Sequence, residues 1–220
     1  EIKMHRDVLK SQLLLGLPGG IQTAMYSISN MMIQTAVNGF GTDATAAWAA
    51  YGKLDAIFWM VSGSFGIAIT TFVGQNYGAG KFDRVKKSVK VCLGMDLVVS
   101  IAMTVLLIVF RIPLFKIFTT DMAVVELGAY MLRLMTPYYA IFVIIEILSG
   151  ALRGMGDAII PMFMTMFGIC VLRIVWIVFV LPIYPTIETI VWNYPISWIL
   201  TSAMMIGYYR FRISKIGEGR

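Results

Sequence analysis

Apolar residues dominate six long stretches of the chain, and short polar segments rich in glycine, proline or charge separate them. At a helical rise of about 1.5 Å per residue, each stretch is long enough to cross the hydrocarbon of a bilayer. The apolar residues do not alternate with polar ones, as they would in a membrane barrel. The pattern predicts an all-α, polytopic membrane protein with a bundle of six transmembrane helices. The predicted spans are 16–40, 44–77, 90–110, 122–152, 158–180 and 187–209.

Glycine and proline mark the positions where these helices are expected to end or break. Gly78 to Gly80 predict the end of the second helix, because glycine takes the left-handed cap conformation at little cost. Pro137 predicts an interruption of the fourth span, and Pro18 predicts a bend or loosening in the first. Side chains that can cap a helix precede two of the spans: Thr42 or Asp43 before the second, and Thr119, Thr120 or Asp121 before the fourth.

Positive charges cluster on one side of the predicted membrane. They occupy the amphipathic lead-in 1–15, the loop 81–90, the short loop at Arg153 and the basic tail 210–220. Six spans with both termini cytoplasmic satisfy the positive-inside rule, so we expect a multi-pass protein of the plasma membrane. The lead-in is expected to lie on the membrane surface or to start the first helix. The loop 81–90 is predicted either to be a surface helix that binds anionic headgroups or to be a solvated loop. The other side holds Asp43, Arg111, Lys116, Asp121 and Glu188.

Composition agrees with a membrane protein and excludes other classes. Of the 220 residues, 59% are hydrophobic and only 14% are charged, against about 25% charged in soluble domains. The net charge of +6 comes from positives beside the predicted spans, which indicates membrane topology rather than nucleic-acid binding. His5 is the single histidine, which argues against a histidine metal site or a Ser-His-Asp enzyme. Cys92 and Cys170 are interpreted as small apolar residues within spans.

Two charges, Lys53 and Asp55, lie inside the second predicted span. A charge inside a membrane helix is costly, so a functional role is the first interpretation. The helix face of Asp55 also carries Tyr51, Trp59 and Ser62, and an acid beside aromatic rings suits an organic cation. The alternative is that Asp55 pairs with an arginine of a neighbouring helix and only holds the bundle together. Lys53 is expected to extend to the outer interface.

Residue counts from the helix ends indicate which charges could meet. Asp55, Arg133 and Arg173 all lie about 14–17 Å below the outer surface, so either arginine is a possible partner for Asp55. Glu146 lies about 10 Å above the cytoplasmic end of its span.

The first span carries amides and hydroxyls in place of charges between Pro18 and Asp43. Gln22, Tyr26 and Ser29 fall near one stripe, which either lines a wet cavity or bonds neighbouring helices.

Five short motifs follow one another in a definite order along nearly the whole chain. They are Gly16-Leu-Pro18 with Gln22, Ala50-Tyr-Gly-Lys-Leu-Asp55, Gly74-Gln-Asn-Tyr-Gly-Ala-Gly80, Leu148-Ser-Gly-Ala-Leu-Arg-Gly-Met-Gly-Asp157 and Tyr194-Pro-Ile-Ser-Trp198. Their order and spacing resemble one lobe of the multidrug and toxic compound extrusion (MATE) family. The last motif resembles the end of the C-terminal lobe.

This resemblance implies a fold and a function. Members of the family have twelve helices in two six-helix lobes around a central cavity, and they export organic cations and other drugs in exchange for sodium or protons. The chain is therefore expected to be the second lobe, with the N-terminal lobe, the bilayer and small-molecule drugs as partners. No enzyme activity or cofactor is implied beyond the transported Na⁺ or H⁺. The substrate-binding candidates are Gln22, Tyr26, Tyr51, Asp55, Trp59, Tyr138 and Arg173, and the cation-coupling candidates are Asp55 and Glu146.

The chain departs from the family pattern at two helices. Some branches carry a cation-binding acid in the first helix of this lobe, where Tyr26 and Ser27 stand here. They also carry an acid one turn after a tyrosine in the fourth helix. Tyr138 matches that tyrosine, but Phe142 occupies the position where the acid is expected. Either Glu146, one turn further, substitutes for it, or coupling belongs to the other lobe.

A flippase for a lipid-linked precursor, which shares the two-lobe plan, is the alternative function. Its pyrophosphate cargo would favour a cavity rich in arginine. Arg133 and Arg173 are compatible with that function, whereas Asp55 and Glu146 argue against it.

Overall fold

In a computed structural model of the protein, residues 6–218 are described, with side chains described for Leu9, Gln12, Leu13 and 16–215. The described part is helical and contains no β-strand. A 3₁₀ turn, Thr136–Tyr138, joins α5 to α6, and π-helical turns at Met166–Val171 and Trp176–Val180 flank α8. The helices are α1 Arg6–Asn38, α2 Thr42–Gly78, α3 Phe82–Val109, α4 Arg111–Lys116, α5 Met122–Met135, α6 Tyr139–Gly154, α7 Ile159–Thr165, α8 Leu172–Val175 and α9 Ile187–Glu218.

Six long helical rods follow from this order, because α5 with α6 and α7 with α8 each form one interrupted rod. Four rods are long and apolar enough to cross a membrane: α2, α3, the rod Met122–Gly154 and the rod Ile159–Val180. The protein is therefore an all-α membrane protein. α1 and α9, with 33 and 32 residues, also have the length to span, and their crossing stays a prediction.

Two loops end their preceding helices in the same way. After α2, Gly80 has φ +69°, its N–H donates to Tyr77 O at 3.0 Å, and Lys81 N–H donates to Asn76 O at 2.8 Å. This is a Schellman cap, and it confirms the glycine stop predicted there. The same pair of hydrogen bonds closes α6 around Gly156, which has φ +83°.

Of the two predicted N-caps, the one before α5 is confirmed and the one before α2 is wrong. Asp121 caps α5, because its side chain accepts from Ala123 N–H at 2.9 Å. The prediction that Thr42 or Asp43 caps α2 is wrong. Gly41 occupies the cap position with φ 99°, a conformation that favours glycine. The N-terminus of α2 therefore has no cap hydrogen bond from a side chain.

Prolines act differently in the two rods where a disturbance was predicted. Pro137 lies in the 3₁₀ turn between α5 and α6, so the predicted interruption is confirmed. A hydrogen bond from Thr104 Oγ1 to Thr136 O, 3.0 Å long, satisfies a carbonyl at this break. Pro18 does not interrupt α1, which is continuous from Arg6 to Asn38.

Several helices extend beyond the predicted boundaries. The basic segment 81–90 is not a separate surface helix, because α3 starts at Phe82 and runs unbroken through it. α9 continues through most of the predicted tail to Glu218. α1 begins at Arg6, so the part of the lead-in from that residue starts the first helix. Residues 1–5, with His5, and residues 219–220 lie outside the described part.

α2 and α6 approach each other closely at glycines. A Cβ added to Gly150 would lie 2.7 Å from Gly66 O and 2.8 Å from Ile69 Cγ2, and one added to Gly154 would lie 2.6 Å from Thr70 O. The Thr70 hydroxyl reaches the carbonyl oxygens of both Gly66, at 2.7 Å, and Gly150, at 3.0 Å. Small residues let two membrane helices pack backbone to backbone in this way. The crossing fixes the relative position of the polar residues that α2 and α6 contribute to the cavity described next.

Candidate functional site

A cavity of about 550 Å³ lies among five of the helices. It combines carboxylates, amides, one guanidinium and aromatic rings, in a protein whose outer surface carries many exposed apolar side chains such as Met60 and Ile67. Polar and charged side chains facing the interior of a membrane bundle are expensive and mark functional sites. The lining residues are Gln22, Tyr26, Asn30 and Gln34 of α1, Trp48, Asp55 and Trp59 of α2, Phe142 and Glu146 of α6, Arg173 of α8 and Tyr194 of α9.

α1 contributes one stripe of side chains spaced four residues apart. The stripe runs from Gln22 through Tyr26 and Asn30 to Gln34, so its members stack along one helix face. Gln22 Nε2 donates to Thr165 Oγ1 at 2.9 Å, which holds the stripe against α7. Ser29, which the sequence analysis grouped with this stripe, is buried and does not line the cavity.

Asp55 is held by three donors rather than by an arginine. Tyr139 donates a hydrogen bond to Asp55 Oδ1, and Trp59 Nε1 donates to Oδ2 at 2.5 Å. The Tyr51 hydroxyl lies 3.2 Å from Oδ1 and 2.9 Å from the Tyr139 hydroxyl. Tyr139 is itself fixed, because its ring stacks on Phe58 with centroids 4.0 Å apart. An ionised carboxylate only accepts hydrogen bonds, so this set of donors suits a charged Asp55.

Arg173 lines the same cavity but pairs with neutral groups. Its guanidinium lies 3.9 Å from the centre of the Tyr194 ring, and Nη1 donates to Asn30 Oδ1 at 3.4 Å. The residue is 3% exposed, and its Nε has no hydrogen-bond partner among the described residues. No described carboxylate lies within 4.0 Å of it. The expected ion pair between Asp55 and Arg173 is therefore not made in this structure.

Glu146 is the second acid of the cavity. It lies against Gly66, where an added Cβ would collide with its carboxylate. Oε1 is 3.8 Å from Arg153 Nη2, and the Arg153 Nη1 atom donates to Ser149 Oγ at 2.7 Å. Glu146 is thus linked to the last turn of α6, while its neighbour Phe142, one turn earlier, faces Trp59.

Three other candidates lie away from the cavity. Tyr138 is in contact with Trp192, their ring centroids 5.7 Å apart, and the adjacent Tyr139 takes the position next to Asp55. Tyr51 lies behind the lining and is 3% exposed. Arg133 is exposed on α5 and is not the partner of Asp55.

Some residues that line the cavity were not selected as binding candidates from the sequence. Asn30 and Gln34 continue the four-residue spacing of Gln22 and Tyr26, so that spacing was a usable signal. Trp48 and Tyr194 carried no such signal, because the sequence does not distinguish an aromatic residue at a cavity from one facing lipid. Their rings lie 5.9 Å apart in the structure.

A further buried acid, Asp96 of α3, lies outside the cavity lining. It is 1% exposed and accepts a hydrogen bond of 2.9 Å from Ser62 Oγ of α2. Ser62 was predicted to share the helix face of Asp55, but its hydroxyl donates to Asp96 of α3 instead. The hydrogen bond ties the two helices together.

The fold and the site define a polytopic helical membrane protein with charged groups around an internal cavity. The MatE family model matches residues 18–179, and the chain accordingly belongs to the MatE family. This is the family that its motifs resemble.

Named relatives agree with this assignment. The chain is 28% identical over 212 residues to "Probable multidrug resistance protein YoeA" of Bacillus subtilis. These residues are 96% of the chain and 46% of that protein. It is 25% identical over 165 residues to "Probable multidrug resistance protein NorM" of Thermotoga maritima, covering 75% of the chain and 36% of the relative. The chain thus spans less than half the length of the curated relatives it matches.

Solved structures show the same fold. One is described as an outward-facing conformation of a multidrug resistance MATE family transporter, and it matches with a TM-score of 0.89 over 99% of the chain and 49% of that structure, at 16% identity. Another, from Pyrococcus furiosus, matches equally well over 98% of the chain and 49% of its own, also at 16% identity. That transporter is described as having a binding pocket of reverse polarity, which suggests a different function for it.

Proposed function

We propose that this chain forms the C-terminal lobe of a multidrug efflux antiporter, which exports organic cations in exchange for sodium or protons by alternating access. One observation carries the proposal: Asp55 and Glu146 share a 550 Å³ cavity with several aromatic rings. A carboxylate attracts a cation, and the faces of aromatic rings add cation–π attraction. Neither interaction requires the ligand to have one particular shape. Relatives named as multidrug resistance proteins support the substrate class.

Asp55 is the substrate-binding acid in this proposal. Tyr139 and Trp59 hold its two oxygens in place, and a carboxylate can accept about four hydrogen bonds in all. With Tyr51 as the third donor, about one acceptor site remains for the ammonium group of a substrate. Because the donors already orient the carboxylate, binding does not have to order it.

Arg173 is proposed to act as an internal cation that competes with the substrate. Its guanidinium already covers the Tyr194 ring, in the same cavity as Asp55. A bound organic cation would repel it, and departure of the substrate would let it approach Asp55 in another conformation. Arg173 lies between two π-helical segments, and such turns are frequent at functional sites.

Coupling to sodium or protons is proposed to use Asp55 or Glu146. Glu146 has one cation nearby, Arg153 at 3.8 Å, which lies in the last turn of α6 just before the loop that adjoins α9. There Asp157 forms a 3.4 Å ion pair with Arg212 and accepts a hydrogen bond from Tyr208. We propose that a change in charge at Glu146 affects this contact between the α6–α7 loop and α9.

Orientation and partners complete the proposal. We infer that α1 and α9 cross the membrane with the other four rods, that both termini are cytoplasmic and that an N-terminal lobe closes the open side of the cavity. Positive charges at the start of α3, at Arg153 and at the end of α9 support this orientation. The flippase alternative is disfavoured, since the described lining contains two acids and a single arginine.

The test replaces Asp55 by asparagine in the full-length transporter that contains this chain. Asp55→Asn keeps the size and the acceptor oxygen but removes the charge. Loss of an interaction with a charged group, about 1.5–3 kcal/mol, corresponds to a rise of about 10- to 150-fold in the Kd for a cationic dye. Ion-driven dye uptake into everted vesicles should fall as the dye binds more weakly, at unchanged expression.

Asp43→Asn is the matched control, because Asp43 lies on the same helix and is exposed at its outer end. It should leave dye binding and efflux unchanged. If Asp55→Asn pumps dye normally at normal expression, Asp55 has no functional role. If the variant is merely unstable but the surviving protein pumps normally, Asp55 only holds the bundle together.

A further inference from the structure

A second concave surface lies on the outside of the bundle, between α2 and α3. It has a volume of about 600 Å³ and is lined mainly by apolar side chains. The α2 side is formed by Phe65, Ala68, Ile69 and Phe72, and the α3 side by Arg84, Lys87, Ser88, Val91, Cys92 and Met95. We call this surface the α2–α3 groove.

Two cations stand at one end of the α2–α3 groove. The Arg84 guanidinium lies over the Phe72 ring, 5.8 Å from its centre, and Lys87 follows on the same face of α3. Among the described residues, no carboxylate lies within 4.0 Å of either group. The groove therefore joins an apolar trough to two positive charges that form no ion pair within 4.0 Å with a described carboxylate.

The dimensions of the groove match one leaflet of a bilayer. Arg84 and Met95 are eleven residues apart on α3, which is about 16 Å along the helix axis. Half of the hydrocarbon core is about 15 Å thick. A phosphate bound at the cations would thus place its acyl chain along the whole trough.

We propose that the α2–α3 groove binds an anionic phospholipid, with the phosphate held by Arg84 and Lys87 and one acyl chain lying against Phe65, Phe72 and Met95. Charge complementarity selects an anionic lipid over a zwitterionic one, because the segment 81–90 that carries the two groove cations holds five basic residues and one acid, Asp83. The apolar trough selects a lipid over a soluble phosphate, which would leave it empty. This site is separate from the cavity of Asp55.

Photolabelling of the full-length transporter in nanodiscs tests the proposal. The probes are phosphatidylglycerol and phosphatidylcholine, each with a diazirine on one acyl chain. Phosphatidylglycerol should label the segments 65–72 and 91–95, and phosphatidylcholine should label them much less. Each basic residue near a membrane surface changes binding of an anionic lipid about fivefold, so Arg84→Gln with Lys87→Gln should reduce labelling about 25-fold.

Lys86→Gln with Lys90→Gln is the matched control. It removes the same charge from the same turns of α3 but on the opposite helix face, away from the groove. If the groove cations act by direct contact, labelling should fall much less than in the groove variant, because Lys86 and Lys90 do not reach the groove. Arg84→Lys should retain labelling, and Ala68→Trp, which fills the trough and keeps both cations, should abolish it.

Three results would overturn the proposal. Equal losses in the two double variants would show only general attraction to the surface. Equal labelling by both lipids would show an ordinary lipid-facing surface. Absence of label, together with cross-links from a cysteine at Ala68 to another protein segment, would show that protein rather than lipid fills the groove.

Discussion

The contact between α2 and α6 makes a quantitative prediction, because it depends on a glycine with no room for a methyl group. In Gly150→Ala, the new Cβ would lie 2.7 Å from Gly66 O, whereas ordinary contacts begin at 3.4 Å. The two helices must separate by about 0.7 Å to relieve this overlap. The same movement would lengthen the Thr70 Oγ1 to Gly150 O distance from 3.0 Å to about 3.7 Å, beyond hydrogen-bonding range.

The expected cost has two parts. Overpacking of a close contact costs about 1–3 kcal/mol, and a lost hydrogen bond between membrane helices costs about 0.6 kcal/mol. Alanine gains up to about 1 kcal/mol over glycine in helix propensity, which offsets part of this. Gly63→Ala is the control, because Gly63 lies within α2 with no atom within 4 Å of its added Cβ. The propensity gain cancels between the two variants, so Gly150→Ala should be less stable by about 1.5–3.5 kcal/mol.

Equilibrium unfolding of the purified full-length transporter in mixed micelles measures this difference. Tryptophan fluorescence follows the transition, and both variants are compared with the parent protein. If Gly150→Ala proves as stable as Gly63→Ala, the two helices are not in close backbone contact. The description of this crossing would then be wrong.

Two further predictions concern the neighbourhood of Asp55 and the orientation. Tyr139→Phe removes a hydrogen bond to Asp55 and should lower the free energy of unfolding by about 1–3 kcal/mol, whereas Tyr138→Phe should change it little. Equal effects in the same unfolding assay would contradict the contact. A cysteine replacing Lys116, in a variant without other cysteines, should react with a membrane-impermeant maleimide from the outside. Reaction only from the cytoplasmic side would show that the orientation is reversed.

The sequence alone was sufficient to predict the helical membrane class and the main breaks in the chain. These features depend on residues close together in sequence. Gly80 allows the cap that ends α2, whose hydrogen bonds join residues at most five positions apart. Pro137 interrupts a rod because it has no N–H to donate. The face shared by Tyr51, Asp55 and Trp59 also followed from helical periodicity. The family resemblance depended on short motifs of the same local kind.

Contacts between distant segments could be determined only from the tertiary structure. Depth along the membrane suggested an arginine for Asp55, but depth does not specify how a helix is rotated about its axis. The start of α6 presents Tyr139 to Asp55, and the 3₁₀ turn before it directs Tyr138 towards Trp192. Arg173 reaches the cavity but lies on the Tyr194 ring. These choices depend on how side chains of several helices pack at once, because packing against all neighbours together sets the rotation of each helix.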